Sequence, residues 1–538
     1  MAQLMRESAH LDEMHVGDIT GAFGTISRDD TAPRTGLWSR IATFLAILGP
    51  GLIVMVGDND AGAFGTYTQA GQDYGTGLMW TLLLLVPVLY VNQEMVLRLG
   101  AVSGVGHARL ILERFGRFWG AFSVIDLFLL NALTIVTEFI GVSLACDFFG
   151  IPKLAGVGVA AVLVMLAVST GSFRRFERLA VALALGSLLL VPVLVLVHAP
   201  VRQTLHDLVV PALPKGDMSV IMLLVIGIVG TTVAPWQLFF QQSYVIDKRI
   251  TPRFIAYERW DLIVGIVFVI VGAVAMMSMA AGAFAGHPEF GNFADAGQVA
   301  QGIAKYAGRL PATLFVVALV DACLIGAASV GLSTAYAVGD VLSYRHSLHR
   351  RVTDAPQFFA VYGLLIVVAA AIVVIPGSPL GLLTNAVQVL AGVLLPSATV
   401  FLLLLSNDAA VLGPWVNSKR TNIFTSAVIA LLVSLSIVLT AAVVYPSIAP
   451  WQIGWILAAG CVAAVLLAAV TARSHAVPGA ERAASRDVWR MPPLETLPPL
   501  ELTTTDRVWL VVLRGYLLLA VALVIVRVAG IALAHGRL

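Results

Sequence analysis

The chain alternates long apolar runs with short polar connections, and the run length is the first informative quantity. Apolar stretches cover about 41–70, 77–97, 119–148, 155–171, 179–200, 218–244, 261–285, 312–342, 356–376, 381–405, 423–446, 451–472 and 508–533. Runs of roughly 20 apolar residues match the helix length that crosses a hydrocarbon core. The pattern predicts an all-α integral membrane protein with about twelve core spans and a thirteenth after a gap. The third and eighth runs are long enough to tilt or to extend past the bilayer.

Composition agrees. Of 538 residues, 59% are hydrophobic and 12% charged, with mean hydropathy +0.91. A soluble domain carries roughly 25% charged residues. The net charge of +2 does not point to nucleic acid, because the basic residues are scattered between apolar runs. Cys146, Cys323 and Cys461 are far apart and form neither a CxxC pair nor a zinc-ligand spacing. The first forty residues are polar and mixed in charge, which predicts a cytosolic tail (1–40) and no signal peptide.

Basic residues fall mainly after even-numbered spans, as in Arg174, Arg175, Arg178, Lys248, Arg249, Arg253, Arg345, Arg350 and Arg351. This bias places the N-terminus and the even loops in the cytosol. Residues 473–507 are polar and Pro-bearing and read as a cytosolic linker before a C-terminal helix in 508–538.

Two spans are broken. In the first, Gly57-Asp58-Asn59-Asp60 interrupts the apolar run and is followed by Gly62 and Gly65. A carboxylate at the bilayer centre costs about 2.5–3.5 kcal/mol on insertion scales. Two so close need a partner, and no Lys or Arg is near in sequence. A cation taken from solution would supply the charge, with unwound carbonyls completing its shell. The sixth span is broken at Pro235, with Gly230, Thr231 and Thr232 just before it. Breaks five spans apart point to inverted repeats, 41–200 and 218–405, with extra helices at 423–472 and a midplane site. Metal-ligand candidates are Asp60 first, then Asp58 and Asn59, carbonyls near Gly57 and Thr231, and Gln388 in the tenth span. Glu138 and Glu94 are buried acids and candidates for proton movement or gating. No nucleophile–base pair or phosphate-binding loop appears in a suitable context, so an enzyme is not expected.

These motifs resemble the Nramp family of divalent-metal transporters over about residues 40–450. Gly49-Pro50, Asp60 with Gly62, Gln69-Ala70-Gly71, Arg98-Leu99-Gly100, Glu138 with Ile140-Gly141, Gly227 to Pro235, Pro396, and Ser406-Asn407-Asp408 through Asn417 carry the likeness. It implies a LeuT-type fold of two inverted five-helix repeats, alternating access, and a transported divalent metal as substrate with no resident cofactor. The departures are informative. The family's Asp-Pro-Gly-Asn is Asp60-Ala61-Gly62-Ala63, its Met-Pro-His is Ala234-Pro235-Trp236, and an aspartate before Glu138 is Ile135. This pattern is similar to the Nramp-related magnesium transporters.

Thioethers favour softer metals, whereas carboxylate, carbonyl and water suit Mg²⁺ and Mn²⁺. Ala234 and Ala63 leave room for an ion that keeps water, and Trp236 would wall the widened cavity. The expected function is import of Mg²⁺ and/or Mn²⁺ across a plasma (inner) membrane, with the metal ion and the bilayer as partners. The rival readings are an organic-solute carrier of the same architecture and a non-transporting membrane sensor.

Overall fold

A computed structural model describes residues 9–375, 380–444, 449–473, 486–500, 507–511 and 513–516. Helices dominate. Before them stands a two-strand hairpin, β1 (Ile19–Thr20) antiparallel to β2 (Thr25–Ile26), with Ile19 opposite Ile26. The first span is three helices: α1 (Leu37–Ile47), α2 (Pro50–Val56) and α3 (Ala61–Tyr74). Next come α4 (Trp80–Ser103), the short α5 (His107–Phe115), α6 (Arg117–Phe149), α7 (Lys153–Val168), α8 (Phe173–Gly186) and α9 (Leu190–Leu196). The surface helix α10 (Val201–Val209) precedes the broken sixth span, α11 (Met218–Thr232) and α12 (Pro235–Asp247). Then follow α13 (Ile255–Phe284), α14 (Ala296–Tyr306), α15 (Arg309–Leu342), α16 (Pro356–Val374), α17 (Leu380–Ser406), α18 (Ala409–Leu412), α19 (Lys419–Val444) and α20 (Pro450–Arg473).

Among the described residues, eight helices are long and apolar enough to cross a membrane, or up to ten if each of two bent pairs is one span. One bent pair is α1 with α2, which turn by 51° at Gly49. Gly49 has φ 154°, and a Cβ there would strike the Glu177 carboxylate. The predicted thirteenth span, 508–533, lies largely outside the described residues.

The third and eighth spans, α6 and α15, are long, mostly buried and packed on each other. The first span packs on α13, with Gly51 and Gly265 allowing backbone contact. The apolar outer faces of α7, α8 and α16 are exposed, as lipid-facing surfaces require.

The described parts of the two regions read from sequence as tail and linker, residues 9–36 and 486–500, pack on the bundle. Asp12 is held by Arg350 at 2.7–3.1 Å and accepts the His346 amide at 3.0 Å. Arg178 donates to the Ala22 carbonyl (2.8 Å), and Arg249 to that of Met14 (2.8 Å). Met491 is fully buried and exchanges backbone bonds with Val102 and Ala9, both 3.1 Å. These anchors are residues far apart in the chain, so polarity alone gave no sign of them.

Candidate functional site

The two breaks follow from local chemistry. Asp60 is the N-cap of α3, and its carboxylate accepts the Ala63 N–H at 2.9 Å. Between α2 and α3, the carbonyls of Gly57, Asp58 and Asn59 receive no backbone N–H among the described residues. At the other break Pro235 has no N–H to give the Thr231 carbonyl. The Ala234 N–H turns instead to the Gln237 side chain, whose Oε1 accepts it at 3.2 Å. Helix ends buried at mid-bundle therefore present oxygens and dipoles to the same interior region.

Asp58, Asn59 and Asp60 are all buried, with relative exposures of 1%, 1% and 4%. Among the described residues neither carboxylate oxygen of Asp58 has a partner within hydrogen-bond geometry. The Gln237 side chain lies beside it, close enough to interact with the carboxylate. Near Gly57 stand the Trp236 ring and the Ser329 hydroxyl, which has no partner among the described residues. The Thr231 hydroxyl is also buried and has no partner among the described residues. Tyr67 and Thr232 close one side through a 2.7 Å hydroxyl–hydroxyl bond.

Glu138 reaches the break from α6. It faces the Asp60 carboxyl, and its Oε2 accepts the Ala61 N–H at 3.2 Å. A cavity of about 20 Å³ adjoins Ala61, lined also by Gly65, Thr137, Gly141, Asp295 and Thr384. That is room for about one water.

The other candidates separate. Asn59 turns away, donating to the Val269 carbonyl (3.3 Å) and filling the space above Gly272. Glu94 is apart from the break, paired with Arg98 (3.2 Å) and Arg259 (2.6 Å). Ala234 is buried at the start of α12, and Trp236, 1% exposed, receives the Ser333 hydroxyl on its carbonyl at 2.9 Å. Gln388 lies on α17, but its side chain is outside the described residues. Among the described residues no three His, Cys, Asp or Glu side chains converge as a metal site. The arrangement offers two carboxylates plus neutral oxygens, which suits a hard cation that keeps water.

Sequence reasoning missed Gln237, Tyr67 and Ser329. Gln237 had a readable signal, since it sits two residues after Pro235 at the second break. It also missed a buried cluster beneath α2. There Lys248 donates to the carbonyls of Ile47 (2.5 Å) and Leu48 (2.8 Å) and to Glu177 (2.6 Å). Asp261 caps α2 by accepting the N–H groups of Gly49, Gly51 and Leu52 at 2.7–3.2 Å.

The model of the natural resistance-associated macrophage protein-like family, Nramp, matches residues 51–442. The chain belongs to the Nramp family. The match takes in both breaks, Glu138 and the Asn407–Asn417 region. A relative from Ralstonia nicotianae, "Divalent metal cation transporter MntH", is 30% identical over 406 residues, covering 72% of this chain and 88% of its own. A Burkholderia ambifaria protein of the same description is 28% identical over 425 residues, covering 75% and 89%. The Nramp fold is seen again in the crystal structure of the Eremococcus coleocola manganese transporter. It aligns with TM-score 0.64 at 20% identity, covering 87% of this chain and 99% of that one. As an Nramp member the chain is a multi-pass membrane transport protein and not an enzyme, with metal as cargo and not as cofactor.

Proposed function

We propose that this chain imports divalent metal cations, Mg²⁺ and/or Mn²⁺, by alternating access. The observation that carries the reading is Asp58: a buried carboxylate two residues from Asp60, at the break of the first span, with no cationic side chain paired to it among the described residues. Uncompensated charge at that depth is costly, and a bound dication offsets it. Asp60 and Asp58 are the primary ligands. Carbonyls of Gly57 and Thr231 and the Gln237 side chain support an ion that retains water. Glu138 stands behind Asp60 as the group for proton movement. The relatives' printed names support the metal, and the absence of a thioether at Ala234 supports the harder ions.

The test is uptake in proteoliposomes. Asp60→Ala should reduce Mg²⁺ and Mn²⁺ uptake at least tenfold with normal yield, and Asp58→Asn should weaken it several-fold. Wild-type rates in both variants would remove the site. An organic-solute carrier would instead show no metal flux, and its substrate carboxylate would meet like charge at Asp58 and Asp60.

Two five-helix repeats, spans 1–5 and 6–10, are the architecture this mechanism uses, with one break in the first span of each. The basic-residue bias supports a cytosolic N-terminus in a plasma (inner) membrane. A cysteine at exposed Arg345 should resist impermeant thiol reagents in intact cells. Ready labelling would invert the topology.

A further inference from the structure

Residues 12–32 are held by three separate parts of the core. At the start of α8, Arg174 donates to the Gly21 carbonyl (3.1 Å) and the Thr25 hydroxyl, and Arg178 to the Ala22 carbonyl (2.8 Å). Between α12 and α13, Arg249 donates to the carbonyls of Met14 (2.8 Å) and Asp18 (3.1 Å). Arg253, from the same connection, donates to the Ala32 carbonyl (2.6 Å) and to that of Asp30. Between α15 and α16, Arg350 pairs with Asp12 at 2.7 Å. Most of the acceptors are backbone carbonyls, so the arginines grip the path of the segment rather than its side chains. A lone two-strand hairpin is marginal in water, and the β1–β2 hairpin is ordered by this grip.

The hairpin closes on the end of α1, and both strands pack on that helix. Its turn, residues 21–24, meets Ala46. A Cβ on Gly21 would lie 1.9 Å from the Ala46 carbonyl oxygen, and one on Gly24 would lie 3.0 Å from the Ala46 Cβ. The Ala22 N–H donates to Glu177 Oε2 at 2.5 Å. The other Glu177 oxygen takes Lys248, whose ammonium also holds the Ile47 and Leu48 carbonyls. Gly49 is the joint that follows, and α2 runs from there to the Gly57 cap next to Asp58. A continuous run of bonds thus leads from the hairpin through Glu177 and Lys248 to the joint, and α2 extends it to the break.

We infer that residues 12–32 form an inhibitory strap that holds α1 and α2 closed against α8 and α13. The strap touches α1 on one side and α8 with two core connections on the other. Its contacts exist only while those elements stay together, so it stabilises the closed arrangement over any in which α2 moves aside. Parting the hairpin from Ala46 and Glu177 frees the inner half of the first span to turn about Gly49. The inference rests on the alternating-access reading, which requires an element beside the break to move. It goes beyond that reading by giving the N-terminal segment control of how often the site opens, whichever divalent ion is carried.

The experiment pairs hydrogen exchange with Mn²⁺ uptake, both on the full-length chain at pH 7. Exchange over residues 9–35 reports the strap, and exchange over 50–56 reports α2. Two changes release the strap by different routes. Gly21→Val drives a branched side chain into the Ala46 carbonyl, and Arg174→Gln/Arg178→Gln removes the grip from α8. Each should quicken exchange over 9–35 and also over 50–56, and should raise the initial uptake rate in proteoliposomes by about two- to fivefold. Asp29→Asn, exposed on the strap, should match wild type in all three readings. Release of the strap with exchange over 50–56 unchanged, or with uptake slowed in both variants, overturns the proposal. So does a strap that neither change releases. A wild type that carries no metal at all sinks the transport reading instead, and exchange over 50–56 then decides by itself whether the strap holds α2.

Discussion

The backbone N–H of Ala61 donates to the Glu138 carboxylate at 3.2 Å. This bond exists because Ala61 stands where the Nramp resemblance expects proline, which has no N–H to give. It ties the acid on α6 to the break in the first span. Ala61→Pro tests the tie, because the first position of a helix tolerates proline. Yield should be unchanged, while the initial rate of metal uptake falls about three- to tenfold as Glu138 loses its only donor among the described residues. An unchanged rate would show that Glu138 does not depend on this bond.

Selectivity is expected to follow Ala234 and Ala63, both buried at the breaks. The double change Ala234→Met with Ala63→Asn adds a thioether and an amide oxygen beside Asp60. A soft ligand gained is worth about 1–2 kcal/mol, roughly tenfold in discrimination. Mg²⁺ inhibition of Mn²⁺ uptake should weaken by that factor in the variant. Equal competition before and after would mean that neither position sets selectivity, and wild-type indifference to Mg²⁺ would restrict the cargo to manganese-type ions.

Docking of the N-terminal segment should depend on pH through His15. Its ring is buried beside His346, Asp247, Asp340 and Asp12, with Nε2 3.1 Å from the His346 carbonyl and 3.9 Å from Asp247. Burial lowers its pKa to about 4, with Asp247 opposing. The undocked segment therefore binds more protons between about pH 6.5 and 4, and docking weakens as pH falls through that window, by on the order of 1–2 kcal/mol at pH 5. His346 acts oppositely. Burial lowers its pKa, but Asp340, 2.9 Å from Nε2, raises it overall, so its contribution is present in acid and lost as pH rises. Burial also raises Asp12, yet Arg350 holds it down to about 2, so that pair holds until far lower pH. Hydrogen exchange over residues 9–35, corrected for intrinsic rates, should quicken from pH 7 to pH 5 in wild type and not in His15→Leu. Identical pH dependence in the two would exclude His15 as the cause.

Lys248 is fully buried with Glu177 and holds the ends of α1. Lys248→Met leaves the Glu177 and Asp261 carboxylates without their ammonium, a loss of about 3–5 kcal/mol for a broken buried pair. Detergent-solubilised protein should unfold at a markedly lower temperature. Adding Glu177→Gln should recover part of the loss. A Tm equal to wild type in Lys248→Met would show that the cluster is not structural.

What the sequence by itself determined is whatever one span can express alone. Apolar run length marked the membrane helices, and the breaks at 57–60 and at Pro235 were legible because acids, glycines and proline violate a membrane helix locally. Asp58, Asp60 and Glu138 were flagged for the same reason: charge inside an apolar run is costly wherever the run ends up. Tertiary structure decided which flagged groups meet. Asn59 stood beside Asp58 as a ligand candidate in sequence, yet it turns to α13, while Glu94, a candidate for proton movement or gating, is taken by two arginines. Only folding brings Gln237 to Asp58, Lys248 to Glu177 across 71 positions, and Asp12 to Arg350 across 338. The physical reason is that pairing energy depends on distance in space, and helix packing sets that distance between residues whose own neighbours in the chain carry no trace of the partner.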